Sequence, residues 1–198
     1  MRIFGIDPGS ERTGYGCIES SGGRHRLVTC GSLSAPARST FPERLLLIHS
    51  GLQALLQRHR PACVAIENIF FAKNVRSALK LGHARGVALL AASQASIPVV
   101  EYSPAEIKRS VVGYGRAEKQ QVQGMMKLLL GLDKVPSPHD AADALAVAVC
   151  HLHSIPAARI RDQGPGIGDR VSARSGGGTP IPDPRSPKTW RQYRPPAG

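Results

Sequence analysis

Residues 2–33 read RIFGIDPGSERTGYGCIESSGGRHRLVTCGSL, and the way this stretch divides decides the fold. RIFGID (2–7) is a short apolar run that stops at Asp7, just before the turn-forming pair Pro8-Gly9. GYGCIES (14–20) and HRLVTCGSL (25–33) have strand composition, and Ser21-Gly22-Gly23 between them suits a tight turn. Three short strands with short connections predict an antiparallel meander. Outward from it, Leu45, Ile48, Leu52 and Leu55 recur at spacings of three and four, which predicts a helix over 42–59 that Pro61 ends. CVAIE (63–67) is a continuous apolar run closed by a carboxylate, as expected of a buried central strand. A second long helix is predicted over 74–94, a fifth strand over 97–102 and a short helix over 104–111 with Ser103 as its N-cap. Two more helices follow, over 117–130 and from Pro138 to about His151, the latter capped by Ser137. The order βββ-α-β-α-β-α-α-α predicts one α/β domain with a five-stranded mixed sheet flanked by helices.

Composition changes near Ser154. Residues 154–198 hold eight of the 16 prolines and seven of the 21 glycines, and eight Lys/Arg against three acids. With almost no periodic apolar pattern, they cannot bury enough surface to offset the entropy of ordering, so 154–198 is read as a disordered basic tail and 1–153 as the folded domain. Its GPGIG string (164–168) lacks the strand and helix that a phosphate-binding loop needs. Trp190 and Tyr193, set among Lys188, Arg191 and Arg194, suit either a solvated tail or a docking or nucleic-acid-contacting peptide. The whole chain carries a formal net charge of +12, of which +5 belongs to the tail and +7 to the domain. Such an excess makes a polyanion the first partner to consider. Cys17, Cys30, Cys63 and Cys150 form no CxxC pair, which argues against a zinc ribbon and for reduced thiols in a cytoplasmic protein. Asp7 interrupts what would be the apolar part of a signal peptide, and the longest apolar run, 87–92, is far short of the ~20 residues that cross a bilayer. No membrane association is expected.

The scarce acids are the more specific signal. Asp7 ends the first strand; alone, it fits an Asx-turn. Glu67 ends the most apolar strand; alone, it fits a surface glutamate or a buried one with a partner. Asp140 and Asp143 in HDAADALAVA (139–148) share a helix face, with His139 four residues from Asp143. Asp140 near a helix start fits dipole stabilisation, whereas Asp143 opens the apolar face of Ala144, Val147 and Ala148. Should the four converge, they would repel one another, and a divalent cation would remove the penalty. Oxygen donors suit Mg²⁺ or Mn²⁺, and two such ions about 4 Å apart can activate water and stabilise a leaving oxygen in phosphoryl displacement. A basic chain with an acidic metal cluster fits a nuclease.

Four strings carry a resemblance: RIFGIDPGSERTGYG (2–16), AIENIFFAKNVRSALKLGHARG (65–86), VVGYGRAEKQQVQ (111–123) and HDAADALAVA (139–148). Together they resemble RuvC-type Holliday-junction resolvases, of the RNase H-like (retroviral-integrase-like) fold. The resemblance implies a metal-dependent homodimer that nicks a four-way DNA junction symmetrically, leaving 5′-phosphate and 3′-hydroxyl ends for ligation. It implies roles in recombination and repair, a cytoplasmic, nucleoid-associated location and an association with a branch-migration helicase complex. It makes Asp7, Glu67, Asp140 and Asp143 the catalytic carboxylates and ligands of two Mg²⁺ or Mn²⁺ ions. Some members resemble His-Ala-Ala-Asp in the last motif and others Asp-Ala-Ala-Asp; here His139 stands beside Asp140, so spacing assigns Asp140 the ligand role and leaves His139 an auxiliary catalytic one. Phe70 matches an aromatic that stacks on a base near the junction centre, with Phe71 beside it. Lys108 and Lys119 match basic residues near the phosphate backbone, with Lys73, Asn74, Arg76, Lys80, Arg109 and Arg116 as neighbours in DNA binding. Ala78, Gly82 and Gly86 form a small-residue face that suits close packing on the sheet or on a dimer partner.

Three other readings compete. Sugar and acetate kinases open similarly but need two such domains and a second phosphate loop, which 198 residues cannot supply. An RNase H-like nuclease acting on RNA shares the start, but not the Ile69-Phe70-Phe71 segment or the long helix from Asn74. A non-catalytic basic nucleic-acid-binding module would have no use for four carboxylates where phosphate must approach.

Overall fold

The computed structural model describes residues 1–68 and 74–155. These form β1 (Arg2–Asp7), β2 (Arg12–Ser21), β3 (Arg24–Ser34), α1 (Phe41–His59), β4 (Cys63–Glu67), α2 (Val75–Gln94), β5 (Val99–Tyr102), α3 (Pro104–Val112), α4 (Lys119–Leu129) and α5 (His139–Ser154). The order is the one read from the sequence. The sheet runs β3-β2-β1-β4-β5. β1, β2 and β3 pair antiparallel, and β4 joins β1 and β5 in parallel. The meander closes at Gly22-Gly23, a two-residue loop whose φ values of 56° and 80° are those a primed hairpin turn requires. The parallel pairs cannot be joined by so short a turn, so α1 and α2 make the crossovers.

Alternation along the strands sorts the core into two layers. Phe4, Ile6, Val64 and Ile66 pack against Ile48, Leu52 and Leu56 of α1 and Ala88, Ala91 and Ala92 of α2. Ile3, Ile18 and Ala65 face the other way, onto Ile107, Val111, Val122 and Met126 of α3 and α4 and onto α5. Ten of the 16 residues of α5 are buried, so this helix is apolar nearly all round. It lies unusually close to the sheet. A Cβ on Gly5 would strike the carbonyl oxygen of Ala144, and one on Gly14 the carbonyl oxygen of Asp140. Ala141, Ala144 and Ala148, all fully buried, keep the helix side of this contact equally small.

Several boundaries shift for local reasons. β5 begins at Val99 because Ile97 donates its N–H to the Ala92 carbonyl at the end of α2 and Pro98 has none to donate. Ser103 caps α3 as expected, accepting from Glu106 N–H while the Glu106 carboxylate accepts from Ser103 N–H. Ser137 does not cap α5. Pro138, with extended φ and ψ, is the N-cap, which makes Asp140 the second helical residue. The helix runs to Ser154, and Ile155 packs on the core, so folded structure passes the compositional boundary at 153. Residues 156–198 lie outside the described residues. Among the described residues no helix is long and apolar enough to cross a membrane.

Candidate active site

β1 and β4 lie side by side with Ile6 opposite Ile66, which brings the next residues, Asp7 and Glu67, level at the strand ends. Period-2 alternation puts Asp7 on the face of Gly5 and Glu67 on that of Ala65, both toward α5. The seating of Ala144 over Gly5 then delivers Asp143, one residue earlier, to the same place. Asp7, Glu67 and Asp143 line one cavity of about 460 Å³, together with Lys108 of α3, Lys119 of α4 and an apolar wall that includes Ile107 and Val122. Thr13, fully buried, donates its hydroxyl to the Gly9 carbonyl at 3.0 Å and ties the β1–β2 loop. Among the described hydrogen bonds Asp7 accepts none from a loop N–H, so an Asx-turn does not account for it.

Burial and crowding dominate the electrostatics. The Asp7 carboxyl is pushed up from 3.8 to about 8, first by burial, then by the charge of Glu67, a proton it can donate to Glu67, and the charge of Asp143. Glu67 is also raised, chiefly by burial, with the hydrogen bond from Asp7 working the other way. Lys119 Nζ stands 2.7 Å from Asp143 Oδ2, and this bond raises the lysine's own proton affinity. A cluster of this kind carries more negative charge than one ammonium offsets. Its donors are carboxylate oxygens, the chemistry that suits Mg²⁺ or Mn²⁺. Among the described residues no three His, Cys, Asp or Glu side chains stand as a ready-made metal ligand set, and Asp143 is held by Lys119. The donor set fits a hard divalent cation, with Lys119 as the cation that shares Asp143 in its place.

The other candidates fall elsewhere. Asp140 points to Arg12, whose Nη1 is 3.6 Å from Asp140 Oδ2, and lines a different cavity. His139 is exposed, and its Nδ1 meets Gln123 Nε2 at 2.9 Å. Asn74 accepts from Ser77 N–H at 2.8 Å and so serves as the N-cap of α2. Lys80 lies 5.9 Å from the ring centre of Phe41, a cation–π contact. Arg76, Arg109 and Arg116 are exposed. Phe70, Phe71 and Lys73 lie outside the described residues. Sequence reasoning missed Arg12 as the partner of Asp140. It also missed the glycines Gly5 and Gly14, whose signal was available: apolar strands with glycine facing a helix of regularly spaced alanines.

The family model described as crossover junction endodeoxyribonuclease RuvC matches residues 3–151. A protein of that description from Chloroflexus aggregans is 53% identical over 156 residues, which cover 79% of this chain and 95% of the relative. One from Syntrophomonas wolfei is 51% identical over 154 residues, covering 78% and 90%. Among solved structures, T. thermophilus RuvC in complex with Holliday junction substrate aligns with a TM-score of 0.71 at 34% identity, covering 77% of this chain and 94% of that one. The yeast mitochondrial Holliday junction resolvase Ydc2, at 14% identity and a TM-score of 0.54 over 76% and 78% of the two chains, shares the fold alone. The sheet order, the strand-end acids and the alanine-seated helix thus stand in an RNase H-like fold, and the chain belongs to the RuvC family of crossover junction endodeoxyribonucleases.

Proposed function

We propose that this protein is a structure-selective endonuclease that resolves four-way DNA junctions in recombination and repair. It makes paired symmetric nicks by divalent-metal-dependent hydrolysis and leaves 5′-phosphate and 3′-hydroxyl ends. The observation that carries this reading is the convergence of Asp7, Glu67 and Asp143 with Lys108 and Lys119 on one cavity, in a member of this family. Asp7, Glu67 and Asp143 would hold the metal, with Asp140 joining them on release from Arg12. What bound Mg²⁺ or Mn²⁺ supplies there is Lewis acidity toward the phosphodiester and the attacking water. Lys108 and Lys119 meet the phosphate's negative charge, and a metal held by Asp143 would leave the Lys119 ammonium free for it. The apolar wall of Ile107 and Val122 limits water on that side of the cavity. His139 assists the carboxylates, Phe70 and Phe71 stack on junction bases, and Lys73, Asn74, Arg76, Lys80, Arg109 and Arg116 contact DNA. The basic residues of segment 156–198 add electrostatic affinity for DNA.

Two cuts on a two-fold junction call for two sites related by a two-fold axis, hence a homodimer. The outer face of α2 supports this: Leu79 and Leu90 are 59% and 50% exposed, and an added Cβ at Gly82 or Gly86 meets nothing within 4 Å. A branch-migration helicase complex is the partner in the cytoplasm. The test is a labelled synthetic four-way junction incubated with Mg²⁺ or with EDTA. The expected result is binding in both and paired nicks with metal alone, with Asp7→Asn binding but not cutting. Cutting by that variant, or equal cutting of linear duplex, overturns the reading. A non-catalytic module leaves the buried, proton-sharing Asp7 and Glu67 without a purpose.

A further inference from the structure

A second cavity, of about 480 Å³, opens where the start of β2, the end of β3 and the start of α1 meet the first turn of α5. Asp140 is one of its walls, while Asp143, three residues on, lines the catalytic cavity. The first turn of α5 therefore stands between the two. Arg12, Arg44 and Glu11 also line it.

Arg44 is held in an unusual way. Its Nε donates to the Ser39 carbonyl at 3.1 Å and its Nη2 to the Ala37 carbonyl at 3.2 Å. These bonds fix the guanidinium without neutralising it. Among the described residues no carboxylate lies within ion-pair distance of Arg44: its neighbour Glu43 spends its carboxylate on the Thr40 N–H at 2.7 Å. A half-buried, pre-positioned guanidinium with an open charge is suited to an anion, because little side-chain entropy is left to lose on binding. Arg12 is the second donor. Its 3.6 Å approach to Asp140 is too long for a hydrogen bond, and its side chain is 54% exposed, so an anion can take it over at small cost. Glu11 opposes an anion here, but it is exposed and well screened.

We propose that Arg44 and Arg12 form a phosphate subsite for the junction's DNA backbone, flanking the cut on the side opposite Lys108 and Lys119. The inference rests on the nuclease reading above and extends it: the strand is gripped on both sides of the first turn of α5. When Arg12 takes a phosphate, Asp140 is released from it, so binding of the strand and completion of the carboxylate set become one event.

The test uses full-length protein carrying Asp7→Asn, to keep strands intact, and four-way junctions with one neutral methylphosphonate placed at successive positions around the cut. The parent should lose roughly five-fold in affinity at one or two positions beyond the catalytic phosphate. Adding Arg44→Gln should weaken binding of the unmodified junction by a similar factor, abolish the sensitivity at those positions, and lower the slope of log affinity against log salt by about one. A profile unchanged by Arg44→Gln overturns the proposal and leaves Arg44 as a tie for the 37–39 loop. Should Arg44→Gln melt the loop, Arg12→Gln, which leaves both carbonyl bonds intact, must flatten the profile at the same positions or the proposal falls. The nuclease reading fails separately: it is judged by whether the unsubstituted chain cuts unmodified junctions.

Discussion

Against one face of the sheet, α1 and α2 lay Ile48, Leu52 and Leu56 onto Phe4, Ile6, Val64 and Ile66, large side chains filling a conventional aliphatic layer. Against the other, α5 brings Ala141, Ala144 and Ala148 down onto Gly5 and Gly14, backbone nearly on backbone. The first layer is a matter of volume, and what it exposes is an apolar outer surface on α2. The second is a matter of distance, and what it exposes is chemistry, because a helix that close delivers Asp143 to two strand-end carboxylates. Both faces bury an apolar core, but the acids gather on only one of them, so each face should fail in its own way.

The largest expected effect concerns the acidic face. Asp7→Asn should reduce cleavage of a four-way junction by about 10³-fold or more while leaving binding in place, read by gel assays of nicking and retention. Next comes the close approach. Gly14→Val must push α5 off the sheet and should cost about 3 kcal/mol or more in denaturant unfolding. On the opposite face the damage comes from removal: Leu52→Ala should cost about 3 kcal/mol by leaving a cavity, with the acidic cluster intact and residual cutting in proportion to folded protein. A Gly14→Val variant that still cuts normally per folded molecule, or a Leu52→Ala variant that does not, would erase the distinction between the faces.

A smaller effect is pH-dependent. Asp7 holds its proton more tightly in the folded chain than in the unfolded one, rising from 3.8 to about 8. Its contribution to stability is therefore fully present below the lower value and lost as pH rises through the upper one. In EDTA, Asp7→Asn should melt close to the parent near pH 4 and about 5 °C above it near pH 9, and added Mg²⁺ should narrow that gap. A gap that shrinks with rising pH would contradict the crowded-carboxylate picture. The smallest effect tests the outer surface of α2: Leu90→Glu should weaken self-association by roughly ten-fold in sedimentation, turning paired nicks into single ones.

Much of the site was legible because strand ends announce themselves. Asp7 before Pro8-Gly9 and Glu67 after Val64-Ala65-Ile66 could be placed at the edge of a sheet from the residues alone. Asp143 was legible as an acid at the start of an apolar helix face. Asp140 was not separable from it by spacing. Two positions three apart on a helix differ by only about 60° in direction, and the seat on Gly14 decides which of them meets Asp7 and which meets Arg12. Lys119 was marked as a phosphate neighbour, but its 2.7 Å bond to Asp143 depends on how α4 packs across α5. Asn74 and Lys80, marked for DNA, also serve as a helix cap and as a cation over the Phe41 ring, contacts that spacing alone does not show.

The sequence by itself determined the local grammar: the Gly22-Gly23 hairpin, the helical spacing from Leu45 to Leu55, the Ser103 cap and the order of the elements, all set by interactions between near neighbours in the chain. Only the tertiary structure decided that β4 lies beside β1, which is what sets Glu67 level with Asp7, although the two are separated by two strands and a helix. It also decided that α5 comes close enough for Asp143 to join them. Strand order and helix height are settled by which distant surfaces exclude water and fit together without collision, and that is a property of the whole packed chain rather than of any segment of it.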